Sequence, residues 1–208
     1  MSIYVISFRR IDPTRRSHYF ELLRQTRERW ALSGALLLSR IATSADDPNR
    51  LIGVSRWRTA EDFERELAQT PPEVIAAFRN AIVEGFREWF FYRPIREIEN
   101  FAIRPLTLGI DTLTVPPEEV ASFLDLAREL QTRQMALPGV AASRILQATH
   151  DPTQLVFVNE YATEESWTER RQLRLAVARA FPRVVGSVYL GQIGLQWELA
   201  TSTEPPPS

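Results

Sequence analysis

Ser39-Arg40-Ile41 recurs as Ser143-Arg144-Ile145, a displacement of 104 residues. The same displacement carries Asp47-Pro48 onto Asp151-Pro152, Leu51 onto Leu155, Val54 onto Val158, Thr59 onto Thr163 and Glu61 onto Glu165. Nine of 25 ungapped positions over 39–63 are identical, where background residue frequencies give about one or two. Trp57/Tyr161 and Phe63/Trp167 add aromatic-for-aromatic matches. A repeat this long makes the chain two copies of one supersecondary unit, and any fold must accommodate two like halves.

Each copy reads β-α-β-β-α-β. Ile3 to Ile11 is β-branched and aromatic, and Asp12-Pro13 then supplies an N-cap and a first-turn proline. The following helix puts Tyr19, Leu22, Leu23, Thr26 and Trp30 on one stripe, with Gly34 just past its end. In the second copy Pro116-Pro117 opens a helix with Val120, Phe123, Leu124, Ala127 and Leu130 on its stripe, closed by Pro138-Gly139. A hairpin follows in each copy, turned at Asp47-Pro48 and Asp151-Pro152. Thr59 and Thr163 then open second helices; Pro71-Pro72 splits the first and Pro182 ends the second. The last strands lie around Tyr92 to Phe101 and through the alternating Ile193, Leu195, Trp197 and Leu199.

Such a unit covers one face of a four-stranded antiparallel sheet with helices and leaves the other bare, so a second sheet is the natural cover. The expected fold is therefore α+β: two tandem ferredoxin-like βαββαβ repeats, 1–101 and 102–200, forming an intramolecular dimeric α+β barrel. The polar, proline-rich tail 201–208 is expected to be disordered. Further homo-oligomerisation is left open.

Cysteine is absent, and all 25 basic side chains are arginine. Disulfides, thiolate nucleophiles, Schiff bases and a P-loop lysine are thereby excluded. Base composition of the genome accounts for the missing lysine. Residues 1–104 carry 17 arginines and 14 acids, while 105–208 carry 8 and 12, a contrast that suits two halves meeting. No basic cluster marks a nucleic-acid surface. No apolar run nears the ~20 residues of a membrane span, and Met-Ser-Ile-Tyr-Val-Ile-Ser shows no secretory pattern. A cytoplasmic protein without a nucleic-acid or membrane partner is expected.

The string Gly34…Ser39-Arg40-Ile41…Asp47-Pro48…Ser55-Arg56-Trp57…Thr59 and its counterpart Gly139…Ser143-Arg144-Ile145…Asp151-Pro152…Asn159-Glu160-Tyr161…Thr163 resemble the antibiotic-biosynthesis-monooxygenase family. The family pattern runs from a glycine through a strand, an Asp-Pro turn and a strand ending in Glu plus an aromatic, to a small polar residue opening a helix. Glu160 keeps the acid; Arg56 departs from it. The resemblance implies a pocket between sheet and helices, and an activity among cofactor-free oxygenases, haem degraders or proteins without known reactions. Haem degraders of this type need an asparagine in the first strand, a tryptophan nine residues past the strand-ending aromatic and a histidine about ten further on. Here those places hold Ile6/Ser7 and Ile110/Asp111, Glu66 and Arg170, and Ala76 and Ala180. Haem chemistry is not expected, nor any cofactor or metal.

No catalytic residue stands out. The pocket-wall candidates are Ser55 with Trp57 and Asn159 with Tyr161, each pair at alternate strand positions, facing Ser7 or Asp111 of the first strands. Tyr19 and Trp30 add helix aromatics; as core they need no ligand. Arg40 and Arg144 read either as an anion clamp or, more simply, as ion pairs at a strand end. Asp111 reads as a proton acceptor raised by an apolar cavity, or as a solvated or arginine-paired residue. His18 and His150 suit a helix surface and a hairpin tip. The leading expectation is a small-molecule pocket protein acting on an aromatic or phenolic substrate as a cofactor-independent monooxygenase. The alternative is a non-catalytic ligand-binding or interaction module.

Overall fold

The structure, a computed structural model, describes residues 1–85, 90–163, 166, 168 and 175–198, with 197 and 198 described by backbone alone. The first copy runs β1 (Ile3–Ile11), α1 (Arg16–Leu32), β2 (Leu36–Ser44), β3 (Arg50–Trp57), α2 (Ala60–Ala68), α3 (Pro72–Ala81), β4 (Ile82–Gly85) and β5 (Phe90–Glu99). The second runs β6 (Thr107–Thr114), α4 (Val120–Met135), β7 (Val140–Ala148), β8 (Gln154–Tyr161), a helical segment at 175–180, and β9 (Val185–Glu198). The tail 201–208, Leu199, Trp167 and most of the second copy's second helix lie outside the described residues.

Local chemistry sets the element ends. Asp12 accepts the Thr14 N–H at 2.9 Å, and Pro13 starts the 3-10 turn that leads into α1. Thr59 Oγ1 accepts the Asp62 N–H at 3.0 Å and caps α2; Thr163 does the same for Ser166 at 3.3 Å. Gly34 and Gly139 take φ of +71° and +76° where the long helices turn into strands, a conformation that disfavours a Cβ. No helix among the described residues is long and apolar enough to cross a membrane.

Eight strands close into a barrel in the order β3-β2-β9-β6-β8-β7-β5-β1, with β1 returning to β3. The two sheets thus do more than face each other: their edges join. Strand β9 is 14 residues long; Val185 to Gln192 pairs with β6 of its own copy, and Gly191 to Glu198 pairs with β2 of the other. Likewise Phe90 to Tyr92 of β5 pairs with β1, and Tyr92 to Glu99 pairs with β7. Strand β4 takes the part of the β1 edge that β5 leaves free, pairing with Arg9 to Ile11.

The lumen is filled. Tyr4, Ile6, Ala42, Ile52, Val54, Leu108, Ile110, Leu146, Val156 and Val158 form one buried cluster drawn from both copies. The outer barrel face is covered by helices: Tyr19 and Leu23 of α1 pack with Ile41 and Leu51, and Phe123, Leu124 and Ala127 of α4 pack with Ile145 and Leu155. The connection between copies is tied down as well, because Asn100 N–H donates to Ala141 O at 2.7 Å and Leu106 N–H to Tyr161 O at 2.8 Å.

Candidate functional site

Alternation along β1 and β3 places Val5, Ser7 and Arg9, and Gly53, Ser55 and Trp57, on the outer barrel face. Leu23, Thr26, Arg27 and Trp30 come down from α1 at spacings of three and four. Phe63 and Leu67 of α2 and Ile75 and Phe78 of α3 complete the wall. Together they line a cavity of about 810 Å³, within the range of small-molecule sites. Its largest surfaces are aromatic: Trp30 meets Trp57 at 5.2 Å between ring centroids, and Trp57 meets Phe63 at 5.1 Å, both edge to face.

The polar groups in this cavity are mostly donors. Trp57 Nε1 donates to Ser55 Oγ at 2.9 Å, whereas the buried Trp30 Nε1 has no partner among the described residues. Arg9 Nη1 donates to the Tyr19 hydroxyl at 2.6 Å, which places Tyr19 behind the wall. Arg27 donates from Nη1 to Ser39 Oγ, and its buried Nε donates to nothing. Burial first, then the neighbouring Arg9 cation, lower the Arg27 pKa to about 9 against the opposing effect of Tyr19, which leaves it charged at neutral pH. Arg27 keeps some accessible surface although it lies deep in the fold, because it borders the cavity.

The equivalent place in the second copy is built differently. Gly53 becomes Phe157, whose ring meets Phe123 at 6.2 Å and occupies space that the first copy leaves open. Trp30 becomes Gln134, which donates to Asn159 Oδ1 at 2.8 Å and to the Tyr161 hydroxyl at 3.0 Å. Ser143 Oγ donates to the same Asn159 oxygen at 2.7 Å. Arg27 becomes Gln131, which donates to Ser143 O at 2.8 Å. The cavity here is about 200 Å³; Asp111 lines it together with Gln131 and Gln134, among others.

Of the residues singled out in the sequence, Ser7, Trp30, Ser55 and Trp57 line the larger cavity and Asp111 the smaller one. Asn159 and Tyr161 are fully buried in the Gln134 knot, and neither lines the smaller cavity. Arg40 and Arg144 are ion-paired, as the simpler reading of them has it, but in a different place. Neither sits at a strand end or borders these cavities; both are mid-strand, 1 % exposed, and in phase with the lumen residues Ala42 and Leu146. Between them lies Glu160, bound to Arg40 Nε at 3.0 Å and to Arg144 Nη1 at 2.6 Å. Arg144 also binds Glu99 at 2.6 Å, while Arg56 binds Glu97 at 3.3 Å, and Glu97 accepts the Tyr4 hydroxyl. Burial alone raises the Glu160 carboxyl, but Arg144 and Arg40 outweigh it and hold the group below the usual carboxylate range. His18 is exposed, and the exposed His150 lies against Phe90 at 5.1 Å.

Arg27 and Gly53 were not among the sequence candidates. Both left a signal: Arg27 is a charge within the apolar stripe Leu23–Trp30, and Gly53 faces a phenylalanine in the aligned repeat.

Residues 110–178 match the antibiotic biosynthesis monooxygenase family model. None of the curated proteins matches the chain in sequence. Among solved structures, a proposed monooxygenase of Lactobacillus acidophilus NCFM superposes with a TM-score of 0.76 at 12 % identity, covering 95 % of this chain and 96 % of its own. A second, of Fusobacterium nucleatum subsp. nucleatum, gives 0.75 at 13 % identity over 95 % and 97 %. An anthrone oxidase-like protein gives 0.68 at 15 % identity over 96 % and 94 %. At such identities the likeness is one of fold, over the whole tandem.

Proposed function

We propose that this chain, a tandem of two antibiotic-biosynthesis-monooxygenase-type units, binds a planar aromatic molecule in the cavity of its first unit and oxygenates an electron-rich phenolic ring there without a cofactor. The observation that carries the reading is the 810 Å³ space walled by Trp30, Trp57, Phe63 and Phe78 and bordered by the guanidinium-bearing Arg9, Arg27 and Arg79. Flat aromatic walls select a flat ring, and donors stabilise negative charge that develops on its oxygen. The chemistry is self-contained for an anthrone. Loss of a proton gives an electron-rich anion, which passes electrons to dioxygen. The ring methylene becomes a carbonyl; one oxygen atom enters the product and the other leaves as water. Glu64, the one carboxylate among the described lining residues, is exposed and suited to pass the proton to solvent.

A second reading, binding without turnover, is favoured by the same inventory, because no histidine lines the cavity and Glu64 lies at its exposed side. Oxygen uptake with a panel of anthrones and hydroquinones separates the two. Uptake of one dioxygen per anthrone is expected for the wild type. Gly53→Phe, which copies the second unit, should lower it: a Cβ there meets the Ser7 hydroxyl at 2.6 Å and the Ile41 side chain at 3.2 Å, both able to shift, and the ring narrows the cavity beside Ser55 and Trp57. Folded protein that quenches its tryptophan fluorescence with these compounds but consumes no oxygen above buffer leaves the binding reading standing.

A further inference from the structure

The cavity of the first unit contains a cation that the described protein does not neutralise. Among the described residues three guanidiniums, Arg9, Arg27 and Arg79, border it against one carboxylate, Glu64. Arg79 and Glu64 are exposed, and Arg9 is engaged with Tyr19. Arg27 is the inner one. Its Nη1 reaches only a neutral hydroxyl, its Nε is buried without a hydrogen bond, and no carboxylate among the described residues forms an ion pair with it. A cation drawn largely out of water is ordinarily paired, so one that no described carboxylate neutralises, at the wall of an aromatic cavity, calls for an anion from outside the chain.

Two further observations point the same way. The repeat provides an internal control: at the equivalent position Gln131, a neutral amide, bonds the neighbouring strand at Ser143 O. The fold therefore does not need a cation on this helix face, and the charge accompanies the open cavity alone. Beside Arg27, one turn along α1, the Trp30 indole N–H is also buried and unpartnered. Both side chains border the cavity, so an anionic ring that Arg27 anchors lies against the aromatic walls of Trp30, Trp57 and Phe63.

From this geometry we infer that the first unit's cavity takes an aromatic ligand as its anion, a carboxylate, phenolate or enolate anchored by Arg27, in preference to the neutral isostere. This rests on the aromatic-pocket reading above and adds the ligand's charge and the residue that selects it. Phenolate and carboxylate share the recognised chemistry, a ring bearing an anionic oxygen, so a carboxylate serves as the probe.

The test is a titration of the full chain at pH 7 with 2-naphthoate and 2-naphthamide, followed by tryptophan quenching and calorimetry. The wild type should bind naphthoate about tenfold or more tightly than the amide, the size of effect expected for one charge-assisted hydrogen bond in a sheltered site. Arg27→Gln should bring naphthoate down to the level of the amide and weaken the amide far less than naphthoate. Arg27→Lys should keep the preference, and melting curves should show both variants folded. Equal binding of the two probes by the wild type, or an undiminished preference in Arg27→Gln, overturns the inference while the aromatic-pocket reading stands. Failure of folded wild type to bind either probe removes both.

Discussion

Glu160 shows how much a single buried charge can organise. It is 1 % exposed and lies between Arg40 from one copy and Arg144 from the other. Its attraction to two guanidiniums must offset the desolvation of all three groups, so the cluster adds little net stability over an apolar filling, yet breaking it is expensive. Glu160→Gln leaves two buried arginines without their shared carboxylate and should destabilise the fold by about 3–5 kcal/mol in urea denaturation at pH 7. The pH dependence follows from the depressed pKa of this carboxyl in the folded state. The stability it contributes is full above the unfolded value of about 4.3 and is lost as pH falls through the lower folded value. The gap between wild type and Glu160→Gln should therefore narrow below about pH 4. A gap that stays constant down to pH 2 would mean that folding does not lower the pKa of Glu160.

At the scale of elements, the barrel depends on two strands that each serve both copies. Without the second half of β9, strand β2 would present an open edge, a row of unpaired backbone groups available to other chains. Leu195 sits in that half opposite Ile41 and packs with it. Leu195→Pro removes a ladder hydrogen bond and breaks the seam between β9 and β2. A loss of about 3 kcal/mol or more is expected, with self-association in size-exclusion chromatography; a monomeric variant with unchanged melting would show that the seam is dispensable. The same seam marks where sequence reasoning stopped. Repeat, caps, hairpins and the Pro71-Pro72 break are local signals and were legible as such. The shared strands were not, because which edge β9 joins is decided by its partners and leaves no mark in its own alternation. Strand β4 was missed for the same reason. Facing was legible only in part: Ser55 and Trp57 were placed on one face by period two, but Arg40, one residue from Ser39, points into the lumen, and a one-residue step reverses the face. Arg27 escaped notice because its stripe was read for apolar residues alone.

For the whole molecule, the question is why two copies in one chain differ at the position after Ser55 and Asn159. The first has Arg56 and the second Glu160. In a barrel made of two first copies, the place facing each Arg40 across the lumen would hold Arg56 instead of Glu160, setting like charges together in a buried space. The pair Arg40–Glu160, at 3.0 Å, exists only when unlike copies meet. Residues 1–101 expressed alone should therefore aggregate or self-dimerise, because β2 and β5 lack their partners and half the lumen cluster is missing, but the self-dimer should be poor. Mixed with 102–208, they should exchange into a one-to-one complex that melts more cooperatively than either half. Sedimentation and native mass spectrometry of the mixed halves read this directly. With Arg56→Glu and Glu97→Arg combined in the first half, its self-dimer should gain at the expense of the mixed complex. A first half that stays monomeric and melts cooperatively at the full-length temperature would show that the two copies fold independently and that the buried charges play no part in choosing the partner.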